Sequence, residues 1–305
     1  MSPHLTAEID MRMDGQEESS NVEDVRGMGG GGGGGGFSIG GRGLGIGSIV
    51  IAVIAGWIFG INPLTLLGLM GGSDDGTVVQ QQGPAPAPPK EDEGARFVSQ
   101  VLRSTEQVWT DVFRESGRTY QPPKLVLFSG SYPTACGRGQ AAMGPFYCPQ
   151  DQKVYIDLSF YRTLERRLGA PGQFAQAYVI SHEVGHHVQQ QLGIMDKVDA
   201  LRGRSGEAQA NALSVRVELQ ADCFAGVWAA RSQKENGWRL DPGDIEAALN
   251  AAAQIGDDTL QRKSQGTVVP ESFTHGSSAQ RVTWFRRGLE TGNVDQCNTF
   301  DSRQV

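Results

Sequence analysis

The chain has 305 residues, a net charge of −7 and a hydrophobic content of 38%. That length accommodates one sizeable domain or two small ones, and the acidity, with no basic block after residue 90, argues against nucleic acid as a partner. The shortfall in apolar residues is local: residues 28–47 are mostly glycine, and residues 71–94 are rich in Gly, Pro, Gln and acid. Such compositions bury too little apolar surface to order on their own.

In chain order, residues 1–45 read as a disordered, Gly-rich N-terminal tail. No charged residue lies between Arg42 and Asp74, and residues 46–70, "IGSIVIAVIAGWIFGINPLTLLGLM", are apolar throughout. The run exceeds the ~20 residues a bilayer-spanning helix needs. A buried core helix is the alternative, but flexible segments on both sides leave it nothing to pack against. The expectation is a single transmembrane helix, starting too far along the chain for a cleaved signal peptide. Arg12, Arg26 and Arg42 precede it, and the first basic residue after it is Lys90. The positive-inside bias therefore predicts a single-pass inner-membrane protein with a cytoplasmic N terminus and an extracytoplasmic domain. Residues 71–92, with "QQQGPAPAPPK", read as a semi-rigid linker.

Residues 93–305 read as one α+β domain, mostly helical with a small sheet. Phe97, Val101, Val108, Val112 and Phe113 recur at helical spacing over 95–117. "KLVLFSG" and "KVYIDLSFY" read as strands, separated by a turn-rich stretch carrying Cys136 and Cys148. Helices are predicted over 172–192, 206–235, 241–261 and 277–290. Asp241-Pro242 serves the third as N-cap and first helical residue.

The first of these later helices carries "HEVGH", and three of the chain's five histidines fall within six residues of it. Residues four apart share a helix face, so His182 and His186 can offer ring nitrogens to one metal ion. Glu183 leaves the helix roughly a quarter turn away. It is too far round to ligate, but it can reach a water on the metal. Zinc acidifies that water, and the carboxylate takes its proton as the water attacks a peptide carbonyl. The ridge Ile180, Val184, Val188 and Leu192 points elsewhere, giving the helix a core side and a site side.

A catalytic zinc needs a third protein ligand and an open position. "SVRVELQADCFAGVWAA" supplies Glu218 and Asp222, with Ala221 and Ala225 small enough for close helix approach. Glu218 reads as the third ligand and Asp222 as the acceptor of a ligand histidine's outer N–H; a solvated acid pair is the alternative. In "FTHGSSAQR", His275 is either a hydrogen-bond donor to the oxyanion or a structural residue at a helix start. Tyr155, Tyr161 and Tyr178 are alternative donors. His187 reads as solvated or as a support behind the ligands. With no CxxC or CxxH, a second, structural zinc is not expected. The four cysteines are read as Cys136–Cys148 and Cys223–Cys297, the alternative being free thiols in a cytoplasmic domain.

The motifs "MDGQEESSNVEDVRG", "SHEVGHHVQ", "VELQADCFAGVWA" and "SFTHGSSAQRVTWFRRG", with the glycine run and the apolar stretch, resemble the bacterial neutral zinc metallopeptidase family nearly end to end. The resemblance implies a gluzincin-like domain similar to the membrane heat-shock and prenyl-processing metalloproteases. It implies one zinc ion held by His182, His186 and Glu218, with Glu183 as general base. The N-terminal motif is usually more basic than Gln16-Glu17-Glu18, which bears on orientation rather than on catalysis. The expected function is hydrolysis of peptide bonds at a lipid bilayer, anchored by residues 46–70. A zinc hydrolase of another amide, or a non-catalytic zinc-containing membrane scaffold, are the competing readings.

Overall fold

A computed structural model describes residues 16–27, 87–89, 91–140, 144–166, 169–170, 172–235, 240 and 243–301. The expected span at 46–70 lies outside them; among the described residues, no helix is long and apolar enough to cross a membrane.

Helix α1 (Glu93–Glu115) is started by Asp92, whose carboxylate accepts the Ala95 N–H at 3.0 Å, satisfying one of the free donors of a helix N terminus. Its apolar face, including Val98, Val101, Leu102 and Trp109, is fully buried. The chain then forms strands β2 (Lys124–Leu127), β3 (Ser131–Thr134), β4 (Gly137–Gln140), β5 (Phe146–Cys148) and β6 (Lys153–Ile156). β2 and β6 pair in parallel and β5 runs antiparallel to β6. Their inner residues Leu125, Leu127, Val154 and Ile156 join the main core, while Val126, Phe128 and Tyr155 pack on the other face with Tyr132 of the β3–β4 hairpin. Both faces are covered, which explains the uninterrupted apolar run of "LVLF".

Residues 16–27 are the first departure from expectation. Val22–Asp24 forms β1, which pairs in parallel with β2 and gives the sheet order β1-β2-β6-β5. Part of the segment read as a disordered tail therefore belongs to the folded unit. Composition averaged it with the glycines that follow, although Val22 enters the main core and the Ser19 hydroxyl donates to buried Glu106 at 2.6 Å.

The predicted strand "KVYIDLSFY" stops at Ile156. The Asp157 carboxylate accepts the Ser159 and Gly130 N–H groups, both at 2.8 Å, and turns the chain into α2 (Ser159–Arg166). Helices α3 (Gln173–Gln191) and α5 (Glu207–Glu235) agree with expectation, and α4 (Ile194–Arg202) is an addition between them. The single helix expected over 241–261 is two, α6 (Asp244–Gln254) and α7 (Asp257–Gln265). They break at Gly256, where a Cβ would collide with Ser278. Asp241 and Pro242 lie outside the described residues. Helix α8 (Ser278–Thr291) opens with a capping box between Ser277 and Gln280.

Small residues set the helix packing. α3 meets α5 where Gly185 faces Ala221, and α5 meets α8 through Gly226 and Gly288. Disulfides join Cys136 to Cys148, tying the hairpin turn to β5, and Cys223 to Cys297, tying α5 to the C-terminal turn.

Two predictions follow from this packing. A methyl at Gly288 would press on the Cys223 carbonyl of α5, so Gly288→Ala is expected to destabilise the fold by at least ~2 kcal/mol, read as a lower Tm. At the β1 junction, the Arg26 guanidinium outweighs burial and lowers the Asp24 carboxyl. The Ala95 N–H, opposed by burial and aided by Arg26, lowers Asp92. Both carboxyls sit below the ordinary value of 3.8, so their stabilisation is complete above pH 3.8 and is lost as pH falls below it. The hydrogen-exchange protection of the Val25 and Leu125 amides, both bonded across this junction, measured relative to the unstructured chain, is expected to fall in that acid window, and less steeply in Arg26→Gln.

Candidate metal centre

α3 is buried on nearly all sides. Ile180, Val184 and Val188 face the core, as their spacing required. The opposite side is not open to solvent: α5 covers it, leaving His182 5%, Glu183 8% and His186 8% exposed.

Glu218 of α5 meets both imidazoles. Its Oε2 lies 3.2 Å from His182 Nε2 and its Oε1 lies 3.5 Å from His186 Nε2. Metal bonds of about 2.0–2.2 Å in a tetrahedral shell separate neighbouring ligand atoms by about 3.3–3.6 Å, so each imidazole stands near ligand spacing from the Glu218 carboxylate. Their donor atoms all lie within 4.8 Å of one another.

The outer nitrogens are already occupied. His182 Nδ1 lies 2.8 Å from Asp222 Oδ1, an acceptor, so it is the Nδ1–H that donates there. His186 Nδ1 lies 2.9 Å from Gln189 Oε1. The Gln189 amide is held in that sense because its Nε2 donates to the Val217 carbonyl at 2.8 Å and to Gln220 Oε1 at 3.0 Å. Both rings are thereby fixed with a lone pair on Nε2, directed at Glu218.

Asp222 is fully buried and accepts from four groups: His182, the Tyr178 hydroxyl at 2.5 Å, and Arg281 through Nε at 2.8 Å and an Nη at 2.9 Å. Burial alone would raise its carboxyl, but Arg281 and His182 outweigh that and hold it low. Burial likewise opposes charge on Glu218, and His186, His182 and His275 lower it. Burial disfavours a protonated His182, yet Asp222 and Glu218 together push it upward.

Glu183 stands apart from the donor set. Burial pushes its carboxyl up to about 7, with the Tyr147 backbone N–H and neighbouring positive charge partly opposing. His275 is not packed as a core residue, its side chain being 39% exposed. Asp257 accepts the His275 backbone N–H at 2.6 Å and lies 3.2 Å from its Nδ1. Burial opposes protonation of His275, but Asp257 and then Glu218 raise it.

Of the other candidates, Tyr178 donates to Asp222 at 2.5 Å, Tyr155 donates to Asp151 at 2.7 Å, and the Tyr161 hydroxyl is buried without a hydrogen bond among the described residues. His187 is neither solvated nor behind a ligand. It is 1% exposed and donates from Nε2 to the Gln121 carbonyl at 2.7 Å, while the Tyr147 hydroxyl reaches its Nδ1 at 3.1 Å. It props the edge strand β5 against α3. Gln189 and Arg281 escaped the sequence reading. Gln189 follows His186 by three residues, a spacing that places it on the same face, whereas nothing local distinguishes Arg281 from Arg286 or Arg287.

A cleft of about 200 Å³ opens beside His186 and Glu218. Met195, Val198 and Arg202 of α4 form one wall, and Val217 and Tyr147 complete it.

Fold and residues together define an α+β protein with a buried His-His-Glu group able to hold a metal ion. The chain belongs to the family described as "Putative neutral zinc metallopeptidase", which matches residues 11–300. It is 53% identical over 297 residues to the uncharacterized protein YpfJ of Escherichia coli K12, covering 95% of this chain and 99% of that one. It is 41% identical over 219 residues to the uncharacterized protein Rv2575 of Mycobacterium tuberculosis H37Rv, covering 69% and 73%. No solved structure is a significant match. Family membership implies zinc as the metal and a peptide or protein as the substrate class.

Losing a support behind a ligand typically weakens metal binding 10–100-fold. Gln189→Leu is expected to raise the zinc dissociation constant by about that factor in a competition titration with a chromogenic chelator, with Tm changed far less.

Proposed function

We propose that the chain is a zinc-dependent endopeptidase held at a membrane through residues 46–70. The observation that carries the reading is a His-His-Glu donor set with its outer nitrogens already tied, standing beside a further carboxylate, Glu183, that does not belong to it. A structural zinc site is closed by a fourth Cys or His. Here all four cysteines are paired in disulfides and His187 is committed to Gln121 and Tyr147.

His182, His186 and Glu218 would hold the zinc ion, which would supply Lewis acidity at the centre when bound. Glu183, raised toward neutrality by burial, is matched to accept a proton there and return it to the departing amine. Asp222 and Gln189 keep both imidazoles from turning. His275, oriented by Asp257, donates a hydrogen bond to the carbonyl oxygen as the carbon becomes tetrahedral.

β5 carries no strand on its outer side among the described residues, and its Tyr147 N–H approaches Glu183. An extended peptide laid along that edge presents its backbone to the site, with one side chain in the cleft under Met195 and Val198. This arrangement favours a peptide over a small amide. The disulfides fit an oxidising compartment, which supports the reading of an extracytoplasmic catalytic domain.

Glu183→Gln is expected to keep zinc but lose two to four orders of magnitude in peptide hydrolysis, on the order of a general base's contribution. His275→Ala is expected to lower kcat about 10²–10³-fold at unchanged zinc content. A chelator should abolish wild-type turnover and zinc restore it. Zinc-loaded wild type that cleaves nothing in a peptide library contradicts the proposal.

A further inference from the structure

Residues 16–27 precede the apolar stretch 46–70 and the domain follows it, yet the two are built into one sheet. β1 lies in register with β2 as Val22↔Leu125, Glu23↔Val126 and Asp24↔Leu127. Ser19 Oγ and Asn21 Nδ2 donate to Glu106 at 2.6 and 2.7 Å, and Glu106 is only 4% exposed. Without these donors α1 would carry a poorly solvated buried carboxylate. β2 would also become an uncovered apolar edge. The segment is therefore packed into the domain as part of its sheet and core.

The two ends of the intervening chain also meet. Arg26 pairs with Asp24 at 2.6 Å and with Asp92 at 2.7 Å, and Asp92 is the residue that caps α1. The chain leaves the domain at residue 27 and rejoins it one ion pair away.

A chain that crosses a bilayer once has its two flanks on opposite sides of about 30 Å of hydrocarbon. Backbone hydrogen bonds and a 2.7 Å ion pair between those flanks require an even number of crossings. Two helical crossings take about 40 apolar residues, and the run from Ile46 to Met70 provides 25. Asn62-Pro63 interrupts even those, with a proline that lacks an N–H.

We infer that, in the membrane-bound chain, residues 16–27 and the metallopeptidase domain lie on the same face of the bilayer, so that the flanks of residues 46–70 are not separated by a single crossing. This replaces the single crossing with a cytoplasmic N terminus that the basic residues had indicated. It depends on membrane attachment and not on catalysis, so an inactive enzyme leaves it untouched.

The test uses the full chain in bacterial membranes, with one epitope before Met1 and another after Val305, and protease added to right-side-out or inverted vesicles. Both epitopes are expected to be digested from the same side; digestion from opposite sides would overturn the inference. In the same membranes, carbodiimide is expected to join Lys153 to Glu23, an ion pair at 2.8 Å, giving a cross-linked peptide that disappears in Lys153→Gln. Absence of that cross-link in the membrane-bound chain, or release of the chain by alkaline carbonate, would also overturn it.

Discussion

The site depends on one buried negative charge. Asp222 has no exposure to water, and its carboxylate is tolerated only because Arg281, Tyr178 and His182 surround it. Removing one partner of such a pair strands the other, at a cost of about 3–5 kcal/mol. The arrangement draws α3, α5 and α8 to a common point, and its by-product is the geometry of the donor set: His182 is held by Asp222, and its Nε2 faces Glu218. Close helix approach makes this possible, because Gly185 against Ala221 and Gly226 against Gly288 let the backbones come near enough for short side chains to meet.

Ligand spacing was legible because it is local. Two histidines four apart on a helix, and two acids four apart on another, mark faces whatever the rest of the chain does. The apolar periodicities of α1, α3, α5 and α8 are local in the same sense, and their boundaries fell within a few residues of expectation. What escaped is held by distant partners. β1 has an unremarkable composition and is specified by Leu125 and Glu106 about a hundred residues away. The break at Gly256 is set by Ser278 and by the three backbone N–H groups that Asp257 gathers from Thr274 to Gly276. His187 reads as solvated or as a support behind the ligands because Tyr147 and Gln121, which enclose it, come from another layer of the fold.

Two supports of unequal kind hold the ligands. Behind His182 stands a charged network that also fastens three helices. Behind His186 stands a neutral amide, Gln189, anchored to α5. The charged support strengthens the basicity of one imidazole more than the other, consistent with the opposite directions in which the two rings are shifted, His182 upward and His186 downward by burial. The same economy appears at the β1 edge of the sheet, where Arg26 pairs with Asp24 of β1 and with Asp92, the cap of α1.

The central claim is that these three side chains, with no sulfur donor, bind one zinc ion and leave a position open. X-ray absorption at the zinc edge of the zinc-loaded protein measures this directly. The account predicts two imidazole nitrogens and low-Z oxygen donors at about 2.0–2.2 Å in a four- or five-coordinate shell. Sulfur in the shell, or a zinc bound by fewer than two imidazoles, would contradict it.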